Sequence, residues 1–101
     1  MAPTLIRFRP IYQTRIWGGR ALADEYGRPL PGTDPVGESW ELVDRPDAQS
    51  VVTGGPWEGA SLHELWTTRR AAVFGSDAPQ SERFPLLIKL LDAEDVLSLQ
   101  V

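Results

Sequence analysis

The last eighteen residues, Phe84 to Val101, constrain the fold of this chain more than any other stretch. Two apolar runs, Phe84 to Leu91 and Val96 to Val101, flank the acidic gap Asp92-Ala93-Glu94-Asp95, the pattern of two short strands joined by a turn. The spacing predicts a β-hairpin. The two-residue period of a strand sets Ser98 and Gln100 on one face and Leu97, Leu99 and Val101 on the other. A register that pairs Leu91 with Val96 brings Lys89 opposite Ser98, with Gln100 one pleat further along, and directly opposed Cβ atoms lie roughly 4.5–5.5 Å apart. An amine, a hydroxyl and a carboxamide therefore converge. Burying them requires partners or a cavity; the alternative, which the residues taken alone favour, is a sheet face on which all three point to water.

Upstream, Leu5-Ile6-Arg7-Phe8 predicts a short strand stopped at Pro10. Ile11 to Trp17 mixes apolar and polar residues before Gly18-Gly19, whose missing side chains permit a turn or a close backbone approach. Trp17 is thereby set at a bend, where a core role is the plain reading. Gly19 to Tyr26 suits a short helix with Leu22 and Tyr26 on one face and Gly27 closing it; Pro29, Pro31, Gly32 and Pro35 prevent its continuation. Gly37 to Val43 predicts a strand on which Glu38, Trp40 and Leu42 share a face. On the residues alone, Glu38 reads as an edge position reaching solvent.

Asp44-Arg45-Pro46-Asp47 predicts a turn and Ser50 to Thr53 a return strand, with no functional reading. Ser61-Leu62-His63-Glu64 is a capping box. A helix is expected from Ser61, with Leu62, Leu65 and Trp66 on its buried side and a break or end before Gly75. His63, the only histidine, falls off that face. No second histidine or carboxylate stands four residues along to share a metal, so it reads as a surface residue without chemistry. Gly75 to Arg83 forms a loop.

A chain of 101 residues makes one small domain with a modest core. Its net charge of −4 and scattered basic residues argue against nucleic acid as a partner. No apolar run approaches the roughly 18 residues of a membrane span, and no signal-peptide pattern opens the chain, so a cytoplasmic protein without membrane association is expected. The absence of cysteine leaves only nitrogen and oxygen ligands for any metal. Glycine-rich phosphate loops and nucleophile elbows are missing.

Phe-Pro-Leu-Leu-Ile-Lys-Leu-Leu-Asp-Ala followed by Leu-Ser-Leu-Gln-Val resembles the segment of type I mannose-6-phosphate isomerases that leads into their zinc-binding Gln-Val-His-Pro motif. Pro10-Ile11-Tyr12 through Trp17-Gly18-Gly19-Arg20, Gly37 to Leu42 and Ser61 to Leu65 also have counterparts there, in the same order. The resemblance implies a mainly β fold, an incomplete cupin jelly roll with short helical insertions. Residues 1–101 would form the N-terminal portion of the domain, before its main zinc-ligand histidine.

By the same resemblance, Gln100 is a zinc ligand and Lys89 a catalytic residue that either binds the phosphate or assists proton movement. Trp17, Glu38, Trp40 and Ser98 line the pocket for a sugar phosphate. The parent reaction is the interconversion of mannose 6-phosphate and fructose 6-phosphate, with negligible catalysis and weak zinc binding expected of these residues alone. Unfinished strand edges at Phe84 to Val101 predict self-association. A non-catalytic cupin-like sugar-binding module and a purely structural β domain are the alternatives.

Overall fold

The computed structural model describes residues 5–95; the second strand of the expected terminal hairpin, with Ser98 and Gln100, lies outside them. The elements run β1 (Ile11–Gly19), α1 (Ala21–Asp24), β2 (Val36–Leu42), β3 (Asp44–Arg45), β4 (Ala48–Gln49), α2 (Leu62–Thr68), α3 (Arg70–Phe74) and β5 (Ile88–Leu91). The chain divides into two compact units, Ile11–Trp40 with Lys89–Val101, and Met1–Pro10 with Glu41–Ile88. No helix among the described residues is long and apolar enough to cross a membrane.

The first unit is built on a three-stranded sheet in the order β1-β2-β5. β1 and β2 run antiparallel, with Ile11 opposite Trp40, Tyr12 opposite Ser39 and Gln13 opposite Glu38; the register then shifts, so that Thr14 and Gly19 both oppose Val36. The glycines explain the irregularity. A Cβ on Gly18 would lie 2.5 Å from the Gly37 nitrogen, and one on Gly37 would lie 2.7 Å from both Arg15 Cβ and Trp17 Cζ3. Two bare backbones thus touch at Gly18 and Gly37, and Gly37 leaves the slot into which Arg15 and Trp17 fit. Gly18-Gly19 is a close approach inside a strand and not a turn, and Trp17 sits within β1 and not at a bend.

Leu22 of α1 is buried. The helix ends at Asp24, and Gly27 (φ 67°) turns the chain while the Arg28 N–H donates to the Leu22 carbonyl. Tyr26, expected beside Leu22, is instead 70 % exposed: it lies past the end of the helix, where the four-residue spacing no longer holds. The Arg20 guanidinium donates to the carbonyls of Pro31, Gly32 and Asp34 and so closes the proline-rich loop. The acidic gap is pinned in turn. Asp92 Oδ2 accepts from the Ala21 N–H at 2.9 Å, and the Glu94 and Asp95 N–H groups donate to the Trp17 carbonyl.

In the second unit Phe8 makes only an isolated bridge to Val52, where a strand over Leu5 to Phe8 was expected. The predicted hairpin forms, with Asp44 opposite Gln49 and Arg45 opposite Ala48; its return strand is Ala48–Gln49, earlier than Ser50 to Thr53. One reason is that Ser50 is buried and uses its hydroxyl to accept from the Val43 N–H.

The serine half of the expected capping box forms at the start of α2, with the Glu64 N–H donating to Ser61 Oγ at 3.0 Å, and Leu62, Leu65 and Trp66 are buried. The helix breaks at Arg69, and α3 ends at Gly75. Trp66 packs edge-on against Phe74 and Phe84, at 5.1 and 5.5 Å between ring centroids, a geometry worth about 0.5–1.5 kcal/mol per pair beyond area burial. Its indole N–H, which would be costly to bury unpaired, donates to the Ser81 carbonyl.

Candidate functional site

Alternation along β2, the central strand, sets Glu38 and Trp40 on one face. Glu38 is only 6 % exposed, and a carboxylate taken from water needs compensation. All three strands supply it. From β1, Arg15 Nε donates to Oε2 at 2.8 Å; from β5, Lys89 Nζ donates to Oε1 at 2.8 Å; within β2, Trp40 Nε1 donates to Oε1 at 2.9 Å. The edge reading of Glu38 is thereby overturned: β2 lies between two strands, and its carboxylate is held by cations.

Burial opposes ionisation of Glu38, but hydrogen bonds from Lys89 and Trp40 and the positive charges of Arg15 and Lys89 together outweigh it and lower its pKa. The group is an anion at neutral pH. Its two cationic partners are each 36 % exposed along the side chain, so each is fixed on Glu38 and still reaches solvent. One carboxylate between two cations leaves a local excess of one positive charge. Such a surface can hold an anionic ligand oxygen.

Of the residues singled out from sequence, Glu38, Trp40 and Lys89 meet in this cluster, and Trp17 lies against Gly37 beside Arg15. Ser98 and Gln100 lie outside the described residues. Sequence reasoning missed Arg15. The signal was the strand period, which sets Gln13, Arg15 and Trp17 on a common face of β1.

A second carboxylate, in the other unit, was also unread. Asp44 has a fully buried side chain. Oδ1 accepts from Gln49 Nε2 and Arg83 Nη1, and Oδ2 from His63 Nδ1 and the Phe84 N–H, at 2.9 to 3.0 Å. His63 is therefore no idle surface residue; it anchors Asp44. Burial again opposes ionisation, and the hydrogen bonds from His63, Gln49 and Phe84 prevail to lower the Asp44 pKa. With all four lone-pair sites of the carboxylate engaged, this cluster is structural.

Both carboxylates have folded-state pKa values below their ordinary 4.5 and 3.8. A group with a depressed folded pKa contributes stability that is present above its unfolded pKa and is lost as pH falls through the folded one. Stability at 25 °C should thus be level through neutrality and fall once the pH drops below about 4.5, as urea midpoints in a pH series would report. Glu38→Gln should flatten part of that fall, and an unchanged acid limb in Glu38→Gln would contradict the assignment.

Among the described residues no group of three or more His, Cys, Asp or Glu side chains is placed to hold a metal ion, and both oxygens of Glu38 are committed to N–H donors. These residues do not by themselves fit a metal.

The family model for the phosphomannose isomerase type I catalytic domain matches residues 5–101. Mannose-6-phosphate isomerase ManA of Bacillus subtilis is 45 % identical over 94 residues, which is 93 % of this chain and 28 % of that protein. The mannose-6-phosphate isomerase of Streptococcus mutans is 42 % identical over 87 residues, 86 % of this chain and 26 % of its own. Among solved structures, the crystal structure of mannose 6-phosphate isomerase from Bacillus subtilis aligns with a TM-score of 0.75 and 41 % identity, covering 87 % of this chain and 27 % of that one. The chain spans less than a third of the length of these relatives. Its mainly β fold with short helices is that of an incomplete cupin jelly roll.

Proposed function

Because the chain belongs to the type I phosphomannose isomerase family, we propose that it forms the N-terminal part of a cytoplasmic, zinc-dependent isomerase that interconverts mannose 6-phosphate and fructose 6-phosphate. The observation that carries the reading is the buried Glu38 carboxylate holding the Lys89 ammonium at 2.8 Å while the lysine stays partly exposed. An aldose–ketose isomerase must remove a proton beside a carbonyl and stabilise the enediolate that forms. It must also hold a doubly charged phosphate.

Fixed positive charge beside a buried carboxylate serves either need. Lys89, oriented by Glu38, binds an anionic oxygen of the sugar phosphate or moves a proton at a sugar oxygen. Trp17, Trp40 and Ser98 would line the pocket around it. Zinc, with Gln100 as one oxygen ligand, is what the family resemblance implies. The remaining ligands and the principal base belong to other parts of the complete enzyme, so negligible turnover is expected of these 101 residues alone.

Metal analysis and an isomerase assay on the complete protein carrying this chain test the reading. Bound zinc and interconversion of the two sugar phosphates are expected. A metal-free, inactive complete protein would end it.

Produced by itself, the chain is also expected to self-associate. Leu86, Leu87, Ile88, Leu90 and Leu91 are all exposed, and β5 is the outer strand of its sheet among the described residues, a template for pairing with a second copy. Sedimentation velocity over a concentration series should show growing association; a monomer at every concentration would refute it.

A further inference from the structure

Arg15 is the group that determines how Glu38 can hold Lys89. A carboxylate can rotate about its last torsion and swap its oxygens among donors. Lys89 Nζ and Trp40 Nε1 both bond Oε1. Arg15 Nε takes Oε2, and this fourth member fixes the orientation that gives Oε1 to the lysine.

Arg15 is itself fixed more firmly than a surface cation. Its Nη1 donates to the Thr14 carbonyl at 2.9 Å, and the start of its side chain occupies the slot left by Gly37, where an added Cβ would meet Arg15 Cβ at 2.7 Å and Cγ at 2.8 Å. A glycine on the neighbouring strand, a backbone carbonyl and a buried carboxylate thus constrain one guanidinium. Isolated exposed ion pairs lack such restraint and contribute little.

The charge count points the same way. With Arg15 the cluster carries two cations and one anion; without it Glu38 and Lys89 cancel, and the pull of Lys89 on an anionic oxygen weakens.

We infer that Arg15 is a positioning residue for the isomerase reaction, acting through Glu38 to orient Lys89 and to keep the pocket net positive toward the sugar phosphate. This rests on the isomerase reading. The test is a double-mutant cycle in the complete enzyme, with kcat and KM for mannose 6-phosphate measured for Arg15→Gln, Arg15→Lys, Lys89→Met and the combination of Arg15→Gln with Lys89→Met.

The inference expects Arg15→Gln to lower kcat/KM about tenfold, a difference of ~1.4 kcal/mol, with Arg15→Lys recovering part of the loss. In the Lys89→Met background, Arg15→Gln should cost well under tenfold, because the orientation of Lys89 is no longer at stake and only the charge of Arg15 is lost. A residue that merely supported the fold would reduce kcat through lost active enzyme, leave KM unchanged, and act equally in both backgrounds; that pattern, or parental kcat/KM in Arg15→Gln, overturns the inference. Should Arg15→Gln fail to fold, the cycle is run with Arg15→Lys, and additivity with Lys89→Met overturns it in the same way. An inactive parent enzyme overturns the isomerase reading and this inference together, whereas an active parent with additive losses overturns the role of Arg15 alone.

Discussion

On the proposed isomerase function, replacing Lys89 by Met in the complete protein is expected to lower kcat/KM for mannose 6-phosphate by about 10²–10⁴-fold, the range typical of losing a positioned proton donor or acceptor. The fold should survive. Methionine keeps the apolar stem, and Glu38 retains Arg15 and Trp40 as donors, so the loss is confined to one charged group. How the loss divides assigns the role. A rise in KM with kcat preserved marks a phosphate ligand, and a fall in kcat marks a group engaged at the transition state. Lys89→Arg should not restore activity fully, because a planar guanidinium cannot repeat the single short bond to Glu38 Oε1 in the same place. Activity of Lys89→Met within threefold of the parent would remove Lys89 from the mechanism.

Asp44→Ala should be the most damaging substitution for stability, at roughly 1–3 kcal/mol, the cost of leaving buried donors without their acceptor, since the side chains of Arg83 and His63 are 39 % and 35 % exposed and can rehydrate. The deletion strands the Arg83 guanidinium, the Gln49 amide, the His63 ring and the Phe84 N–H at once. Native domains are stable by only about 5–15 kcal/mol, so part of the margin would disappear. Asp44→Asn should recover part of it, since one acceptor oxygen remains while the amide turns a donor toward donors. The contrast is Asp47→Ala. Asp47 has a side chain 72 % exposed and meets Arg45 at 3.4 Å, a surface pair worth about 0–1 kcal/mol. Urea unfolding of the three variants checks the ranking, and equal midpoints for Asp44→Ala and Asp47→Ala would contradict it.

What the sequence disclosed follows from the range of its signals. The Ser61 cap, the apolar face Leu62, Leu65 and Trp66, and the stop at Gly75 are decided within a few residues, and the structure repeats them. Alternation placed Glu38 and Trp40 together, which needs only one strand. Arg15 was hidden because its partner depends on the register between strands, and that register shifts between Gln13 and Thr14. Asp44 was hidden for a stronger reason. Its partners lie 5, 19, 39 and 40 residues away, so nothing local marks a turn aspartate as the centre of a buried network. Tyr26 failed in the opposite sense: a local rule was applied past the end of the helix that justified it.

Peptide mass mapping assigns acylation to Lys89, the only lysine of these 101 residues, apart from any other amine of the complete enzyme. The most direct test of its place in the substrate pocket is the rate of lysine-selective acylation at Lys89 in the complete enzyme, followed by peptide mass mapping with and without mannose 6-phosphate. Protection by saturating mannose 6-phosphate, and none by mannose, is the predicted result; an acylation rate that the sugar phosphate leaves unchanged would contradict it.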